Sequence, residues 1–238
     1  MRAVLCGANG AMGKLICGIL GDEIVCRVSI DGENGVPRTF AELGNVSADV
    51  VIDFSHHTAV GSLMDFCVAK NLPVVVATTG QTPEEKAVIA EAAKKIPVFF
   101  SANMSIGVAL LANLAKKAAS VFPDANIEIV EKHHNQKLDV PSGTALLLAH
   151  KIQEALTDTV LLVGRHENGK RTAKEIGIHS LRLGNEVGTH EIIIATGAET
   201  ITLKHEAENR SLFANGALAA AAFLEGKAPG LYSMQDII

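Results

Sequence analysis

Short apolar segments alternate with helical segments over the first hundred residues, and this alternation limits the fold more than any other feature of the sequence. The apolar segments are residues 2–6 (RAVLC), 49–54 (DVVIDF), 73–77 (PVVVA) and 97–100 (PVFF). Strands that are apolar on both faces belong to parallel sheets covered by helices on each side. A helix start is also evident at residues 82–85 (TPEE), which have the order of a capping box with proline at the first helical position. The sequence therefore predicts an α/β fold for this region.

A further extended segment, residues 23–30 (EIVCRVSI), precedes a connection that differs from the others. Between it and the strand at residue 49 lies a single short segment, residues 37–43 (PRTFAEL). Parallel strands are normally joined by a crossover helix. We expect a full crossover helix to be missing here.

A glycine-rich segment follows the first strand and opens the first helix. Its residues are Gly7, Ala8, Asn9, Gly10, Ala11, Met12 and Gly13, with the spacing GxxGxxG. Glycines at such a turn let the backbone approach a pyrophosphate, which then lies at the helix N-terminus. Asp31, near the end of the second strand, is placed to accept hydrogen bonds from the adenosine ribose. The segment predicts a dinucleotide site; the alternative is a tight turn with an ordinary surface aspartate.

Three other predicted strands end in small polar residues. The ends are Phe54-Ser55-His56, Ala77-Thr78-Thr79-Gly80 and Ser101-Ala102-Asn103-Met104. Ligands of open α/β sheets bind at the carboxyl ends of the strands. Hydroxyl and amide groups there suit a nicotinamide and its ribose, although a threonine pair is equally able to shape a turn.

After residue 104 the pattern changes to clustered strands. Strands are predicted at residues 127–132, 175–183, 191–195 and 200–206, with helices at 106–119, 143–155 and 211–224. Strands without intervening helices suggest a second, α+β domain with an open mixed sheet. We expect the last helix to return to the first domain.

Residues 131–145 (EKHHNQKLDVPSGTA) carry an unusual number of proton carriers and anion-binding groups. His133 and His134 are adjacent, so their side chains face opposite ways on an extended segment. Lys137 supplies positive charge or a proton. Ser142, Gly143 and Thr144 have the pattern of a helix N-terminus, where free N–H groups hold a carboxylate. The segment predicts a site for an acidic substrate, the alternative being a solvated polar loop in which Ser142 is a plain cap.

The overall composition favours a globular protein without nucleic-acid or membrane partners. Of the 238 residues, 48% are hydrophobic and 20% charged, which excludes a disordered chain. The net charge of -5 gives no attraction to nucleic acids or anionic lipids. The longest apolar run, residues 217–224, is too short to cross a bilayer. The four cysteines lack metal-ligand spacing and are expected to be reduced thiols of a cytoplasmic protein, and no metal site is expected.

Several of these segments together resemble one enzyme family, the 4-hydroxy-tetrahydrodipicolinate reductases, also called dihydrodipicolinate reductases. They are GANGAMG (7–13), DFS (53–55), ATTG (77–80), SANMSIGV (101–108), EKHHNQKLDVPSGTA (131–145), RLGNEVGTHE (182–191) and HEAENRSLFANGAL (205–218). The resemblance covers nearly the whole chain. Its most specific part is His-His-x-x-Lys-x-Asp-x-Pro-Ser-Gly-Thr.

The resemblance implies a fold, a reaction and an assembly. The fold is a Rossmann-type cofactor domain at residues 1–104, to which 210–238 return, and a smaller α+β substrate and tetramerisation domain at 105–209 with an open mixed sheet. The reaction is the NAD(P)H-dependent reduction of 4-hydroxy-tetrahydrodipicolinate, a cyclic imine with two carboxylates, with loss of water, in lysine biosynthesis by the diaminopimelate pathway. The assembly is a cytoplasmic homotetramer.

The resemblance also implies roles for individual residues. His133 resembles the catalytic proton donor and acceptor, and Lys137 a second proton donor. His134, Gly143 and Thr144 resemble substrate ligands, beside the cap Ser142. The residues that resemble cofactor contacts are Gly7, Ala8, Asn9, Gly10, Ala11, Met12, Asp31, Ala77, Thr78, Thr79, Ser101, Ala102, Asn103 and Met104.

Four positions depart from the usual family pattern. Ala77 stands where glycine is frequent, Met104 where an aromatic is frequent, and Val140 where alanine is common. Gly32 follows Asp31 where many members have arginine. The resemblance implies that both NADH and NADPH are used, since the family often accepts both. Because Asp31 would repel a 2′-phosphate, we expect NADH to be preferred. The alternatives are another Rossmann-type amino-acid or semialdehyde dehydrogenase, and a non-catalytic NAD(P)H sensor.

Overall fold

The computed structural model describes residues 1–238, apart from the side chain of Asn34. The chain forms two compact units, one of Met1–Ser105 with Ser211–Ile238 and one of Ile106–Arg210. None of the helices in the described part of the chain combines the length and apolarity needed to cross a membrane.

Strands and helices largely alternate over the first hundred residues, and strands cluster in the part that follows, as predicted. The strands are β1 (Ala3–Cys6), β2 (Ile24–Val28), β3 (Val50–Asp53), β4 (Val74–Val76), β5 (Pro97–Phe100), β6 (Asn126–His133), β7 (Val160–Val163), β8 (Glu175–Arg182), β9 (Gly188–Ala195), β10 (Thr200–Ala207) and β11 (Gly230–Tyr232). The helices are α1 (Ala11–Leu20), α2 (Val60–Lys70), α3 (Pro83–Ala93), α4 (Ile106–Val121), α5 (Gly143–Gln153) and α6 (Ser211–Phe223).

The first unit contains a parallel six-stranded sheet in the order β11-β5-β4-β3-β1-β2. Every residue of β1, β3 and β4 is buried, which explains why these segments are apolar at consecutive positions. The first strand, β1, lies between β2, which forms one edge of the sheet, and β3. The strand order therefore reverses at β1, and ligands of such sheets bind at this reversal. The predicted α/β fold is confirmed.

The connection from β2 to β3 lacks an α-helix, as the sequence predicted. It contains two 3₁₀ segments, Glu33–Gly35 and Phe40–Leu43. Phe40 stacks on Phe66 of α2 with ring centroids 5.1 Å apart. This aromatic contact lets a short segment cover the sheet where a longer helix would otherwise lie.

The helix start predicted at residues 82–85 is also confirmed. The Thr82 hydroxyl accepts a hydrogen bond from the Glu85 backbone N–H at 3.2 Å, and the Glu85 carboxylate accepts one from the Thr82 N–H at 2.8 Å. The same carboxylate lies 2.9 Å from Nδ1 of His57. The reciprocal pair begins α3 at Pro83.

The second unit contains a mixed five-stranded sheet in the order β10-β9-β6-β8-β7. Strands β6, β7 and β8 are parallel, whereas β9 is antiparallel to both β6 and β10. Helices α4 and α5 share a buried core with this sheet that includes Ile127, Ile129 and Leu148. The predicted open mixed sheet is confirmed, and β7 is an additional edge strand.

Candidate active site

The glycine-rich turn lies between the end of β1 and the start of α1. Gly7 has a φ of 76°, and a Cβ atom on it would lie 2.4 Å from the Phe54 carbonyl oxygen. A Cβ on Gly13 would lie 2.2 Å from the Gly7 carbonyl oxygen. Both distances are far shorter than a carbon–oxygen contact allows, so these two positions require glycine.

The helix that follows this turn begins without a side-chain cap. Gly10, the N-cap residue, has no side chain to accept from the first N–H groups, and the first turn contains no acidic residue. The first N–H groups of a helix have no partner within the helix. Together with the helix dipole they form a site for an anion such as a pyrophosphate. The predicted residues Gly7, Ala8, Asn9, Gly10, Ala11 and Met12 make up this turn and the first helical residues.

Asp31 lies beside the glycine-rich turn, although β2 ends three residues earlier, at Val28. Its Oδ1 accepts hydrogen bonds from Asn9 Nδ2 at 2.5 Å and from the Glu33 N–H at 3.2 Å. The bond from Asn9 is the main reason that the pKa of this exposed carboxyl lies below its usual value. The carboxylate is thus ionised and held next to the turn.

An apolar cavity of about 260 Å³ opens beside the same turn. Its walls include Gly7 at the turn, Val28 and Ile30 from the second strand and its end, and Phe40 and Ala41 from the short crossover. Apolar walls close to a carboxylate that is predicted to bind a ribose suit an adenine ring. Arg38 also lines the cavity, and its guanidinium donates a hydrogen bond to the Asp31 carbonyl at 3.2 Å.

The other predicted cofactor residues lie at the carboxyl ends of β3, β4 and β5. A groove of about 410 Å³ is lined by Phe54, Ser55, His56, Ala77, Thr78 and Thr79. After β5, the Ser101 hydroxyl donates to the Asn103 carbonyl at 2.7 Å and Asn103 Oδ1 accepts from the Ser105 N–H at 2.8 Å, which fixes the turn that contains Ala102. Met104 is buried beneath α6. The parallel sheet thus brings the predicted cofactor residues to one edge.

In the second unit, β6 carries two kinds of residue on the face that packs against the helices. Ile127 and Ile129 belong to the apolar core, and Glu131 and His133 continue the same alternation toward the end of the strand. Glu131 has no exposed surface and His133 is 8% exposed. The alternation therefore extends the core face into a polar, buried pair.

The Glu131 carboxylate is the centre of a hydrogen-bond network. Its Oε2 accepts from His133 Nδ1 and, at 2.9 Å, from one terminal nitrogen of Arg182. Its Oε1 accepts from the other terminal nitrogen of Arg182 at 2.8 Å and from the Ser142 N–H at 3.2 Å. Burial alone would raise the pKa of Glu131, but the bonds from His133 and Arg182 outweigh it and hold the pKa far below its usual value.

A second histidine lies against this pair. The rings of His133 and His190 meet edge to face with centroids 5.2 Å apart, and His190 Nε2 lies 3.1 Å from the Ser142 hydroxyl. Burial, followed by the proximity of His133, lowers the pKa of His190 to about 3. His190 is therefore neutral at physiological pH.

The predicted substrate residues lie on the loop after β6 and at the start of α5. Lys137 forms an ion pair with Asp139 at 2.7 Å, and the N–H of the half-buried His134 donates to the Glu186 carbonyl at 2.8 Å. The Ser142 hydroxyl caps α5 by accepting from the Ala145 N–H at 3.1 Å. Gly143 and Thr144 follow it in a first turn without acidic residues, as an anion-binding helix start requires.

Four residues of this network were not predicted as site residues: Glu131, Arg182, Gly188 and His190. A Cβ on Gly188 would lie 3.0 Å from His133 Nε2, so the glycine leaves room beside that nitrogen. For Glu131 the sequence did contain a signal, because residues two apart on a strand share a face. The other three depend on how β8 and β9 pair with β6.

Comparison with known proteins gives matches over the full length of the chain. Residues 1–104 match the family model "Dihydrodipicolinate reductase, N-terminus", and residues 107–238 match "Dihydrodipicolinate reductase, C-terminus". Curated proteins called 4-hydroxy-tetrahydrodipicolinate reductase are 44% identical in Caldanaerobacter subterraneus subsp. tengcongensis and in Clostridium tetani. These matches cover 100% of this chain and 98% and 97% of those proteins.

A solved structure gives the same result at the level of the fold. The dipicolinate-bound dihydrodipicolinate reductase from Paenisporosarcina sp. TG-14 superimposes with a TM-score of 0.79 at 25% identity, covering 100% of this chain and 99% of that one. Both family models and the full-length relatives thus name one enzyme family. The chain belongs to the dihydrodipicolinate reductase family.

Proposed function

We propose that this protein reduces 4-hydroxy-tetrahydrodipicolinate to tetrahydrodipicolinate with NADH or NADPH, with loss of water. The observation that carries the proposal is the buried His133–Glu131 pair, whose carboxylate also bonds the start of α5. A proton carrier is thereby linked to an anion-binding helix start. Family membership and the cofactor turn of the first unit support the same reaction.

The substrate has two carboxylates, and the second unit offers two groups for them. The N–H groups of Gly143 and Thr144 at the start of α5 suit one carboxylate. The ammonium group of Lys137, paired with Asp139 in the free protein, suits the other. The dipicolinate in the Paenisporosarcina structure is likewise a ring with two carboxylates.

The chemistry divides between the cofactor and the protein. The 4-hydroxyl group leaves as water after a proton is lost from the neighbouring ring carbon, which creates a double bond. The nicotinamide supplies the hydride that adds to one carbon of this double bond. His133 handles the proton that the neighbouring carbon loses and regains, and Lys137 is a second proton donor.

The direct test is a spectrophotometric assay of NADH and NADPH oxidation with freshly prepared substrate. We expect turnover that depends on the substrate. A cofactor-sensing protein would bind NADH without oxidising it, and a different dehydrogenase would oxidise it only with another substrate. Either result would contradict the proposal.

Single substitutions test the proposed roles of His133 and Lys137. His133→Gln should lower kcat by roughly 10²–10⁴-fold, as expected for a lost proton carrier, while NADH affinity stays unchanged. Lys137→Ala should lower kcat and raise KM, because it removes a charge that faces a dianion. His150→Gln and Lys151→Ala on α5 are matched controls, since His150 bonds Gln153 and Lys151 bonds Glu154 at the far end of that helix from Ser142. A His133→Gln enzyme as active as His150→Gln would remove His133 from its role.

For the cofactor, we propose that both forms are used and that NADH is preferred. Asp31 accepts from the ribose hydroxyls of NADH and repels the 2′-phosphate of NADPH. Arg38 moderates this repulsion: it crosses Gly32, where a Cβ would lie 2.3 Å from Arg38 Nε, and bonds the Asp31 carbonyl. An arginine thus lies beside residue 32 although none follows Asp31 in the sequence.

Replacing Arg38 tests this assignment. Arg38→Ala should lower kcat/KM for NADPH by roughly tenfold or more, the value of a lost charged hydrogen bond, and change that for NADH much less. Arg27→Ala, an exposed arginine of β2, is the control. Equal losses for both cofactors would mean that Arg38 only shapes the cavity. A wild-type preference for NADPH would show that Arg38 outweighs Asp31.

We further propose a homotetramer assembled through the second unit. Val160 on the edge strand β7 is 66% exposed, and Leu181 near the end of the neighbouring strand β8 is 46% exposed. Exposed apolar residues at a sheet edge favour association with another chain. Light scattering should give about four times the chain mass. A stable monomer at micromolar concentration would contradict this arrangement.

A further inference from the structure

We infer that Glu131 is a positioning residue for the proposed proton transfer: it holds His133 with Nδ1 protonated and leaves Nε2 to exchange the proton with the substrate. Arg182 holds Glu131 in turn. The inference rests on the proposed function, in which His133 handles the substrate proton.

The carboxylate of Glu131 has a full set of donors from three parts of the second unit. His133 on β6 and Ser142 at the start of α5 each provide one N–H, and Arg182 at the end of β8 provides two. An ionised carboxylate has about four acceptor positions, so all are occupied. Glu131 therefore fixes the histidine and the proposed carboxylate-binding helix start to one rigid point.

Arg182 keeps this carboxylate charged and also fixes the neighbouring loop. Its two terminal nitrogens bind both oxygens of Glu131, the geometry in which arginine pairs best with a carboxylate. One of them also donates to the Asp139 carbonyl at 2.8 Å. Lys137 lies two residues before Asp139, so the same arginine is bonded to the loop that carries the second proposed proton donor.

The charge of Glu131 decides the tautomer of His133. An ionised carboxylate accepts hydrogen bonds and donates none, so Nδ1 of His133 must carry the hydrogen. A neutral imidazole has a single N–H, and Nε2 is then the nitrogen with the free lone pair. Gly188 lies next to Nε2 and has no side chain to cover it. The geometry thus selects one nitrogen for catalysis.

The same strand provides a matched comparison. Glu128 of β6 binds His179 Nε2 at 2.8 Å and also Arg171, which repeats the glutamate–histidine–arginine combination. The Glu128 side chain, however, is 27% exposed, whereas that of Glu131 has no exposed surface. The Ser142 N–H at the start of α5 donates to Glu131 and not to Glu128. A Glu128→Gln substitution therefore breaks equivalent contacts without touching the proposed site.

The first experiment determines the tautomer of His133 in the ligand-free protein by long-range ¹H–¹⁵N NMR at alkaline pH, where imidazoles are neutral. We expect the Nδ1–H tautomer in the wild type and in Glu128→Gln. In Glu131→Gln the side-chain NH₂ group donates toward Nδ1, and we expect the Nε2–H tautomer. A wild-type His133 with its hydrogen on Nε2 would overturn the inference without any assay of activity.

The second experiment measures kcat and KM of the same proteins. Glu131→Gln should lower kcat by roughly 10²-fold, the usual value of a misdirected proton carrier, with a smaller change in KM. Glu128→Gln should leave both unchanged. If Glu131→Gln keeps the wild-type kcat or the Nδ1–H tautomer, Glu131 does not position His133. Absence of turnover in the wild type would instead reject the proposed function and leave the NMR result valid.

The Glu131→Gln variant leaves Arg182 without its charged partner, and an unpaired buried charge can prevent folding. The double variant Glu131→Gln/Arg182→Met removes both charges and is expected to fold, since replacing a whole buried pair is often neutral. It should show the Nε2–H tautomer and the reduced kcat. Retention of the Nδ1–H tautomer in the double variant would overturn the inference.

Discussion

The two units each contain a fully buried carboxylate at or near the end of a central strand, and their protonation behaviour is opposite. Asp53 ends β3 in the first unit and Glu131 lies two residues before the end of β6 in the second, and neither has exposed surface. Burial raises the pKa of Asp53 to about 6. The pKa of Glu131 lies well below its usual value despite burial.

The difference lies in the partners. Asp53 accepts from the Ser55 N–H at 3.1 Å, the Ser55 hydroxyl at 2.5 Å and the Thr78 hydroxyl at 3.3 Å, all of which are neutral. Glu131 accepts from Nδ1 of His133 and faces the guanidinium of Arg182 at both oxygens. Neutral donors reduce the cost of removing a carboxylate from water without cancelling it, whereas a paired cation reverses the shift. A charged partner thus makes a buried carboxylate a fixed anion.

The largest expected effect comes from removing that cation. Arg182→Met leaves Glu131 buried and uncompensated, and should lower the free energy of unfolding of the second unit by about 3–5 kcal/mol. Denaturant-dependent hydrogen exchange of the β6 amides measures this unit separately. The double variant Glu131→Gln/Arg182→Met should lose less, because it removes the unpaired charge. An equal loss in both variants would mean that Arg182 acts by packing alone.

Asp53→Asn sharpens the comparison from the other side. The pKa of Asp53 is about 6 in the folded protein against a usual value of 3.8, so the folded state binds the proton more tightly. The free energy of unfolding therefore falls as the pH rises from 3.8 to about 6, by about 3 kcal/mol in total. The amide that replaces the carboxyl group does not titrate, so the variant should lack this fall and gain stability relative to wild type at neutral pH.

Denaturation of both proteins at about pH 4 and about pH 7 measures this difference. Thr78→Val is a useful companion, since it removes one neutral donor and should change stability by only about 1 kcal/mol. If Asp53→Asn and the wild type have the same pH dependence, the Asp53 carboxyl titrates as an ordinary exposed group. The contrast with Glu131 would then be lost.

The sequence predicted the layers of the fold well because burial on both faces leaves a clear pattern. Strands β1, β3, β4 and β5 were each predicted from an uninterrupted apolar run. Strand β11 was missed because a three-residue segment with glycine and tyrosine has no such pattern, and β7 because it is a four-residue edge strand whose ends are exposed. Local composition thus suffices for central strands and fails for short ones at the edges.

Only those parts of the candidate site that are close together in the sequence could be predicted. His133, Lys137 and the start of α5 lie within one segment, so a shared role for them could be proposed from the sequence. The convergence on Glu131 could not, because it depends on register: His133 is opposite Arg182 on β8, and Glu131 is opposite His190 on β9. The path of Arg38 over Gly32 is likewise a property of the folded crossover and left no mark in the local sequence.

The smallest expected effect concerns acid, in which the two units should respond in opposite directions. Burial and nearby His133 lower the pKa of His190 to about 3 from 6.5, so the unfolded chain binds a proton in this window and the folded protein does not. The stability of the second unit is therefore lost progressively as the pH falls below about 6.5, by about 2 kcal/mol at about pH 5. Protonation of Asp53 stabilises the first unit over the same pH range.

Hydrogen exchange near pH 5, compared with that at neutral pH after correction for intrinsic rates, should show weaker protection in β6 and β9 and stronger protection in β3. His190→Gln should reduce the acid loss in the second unit, to which His205 on β10 also contributes because burial lowers its pKa, and should leave β3 unchanged. Parallel weakening of both sheets would mean that a general charge effect, and not these two buried groups, governs the response.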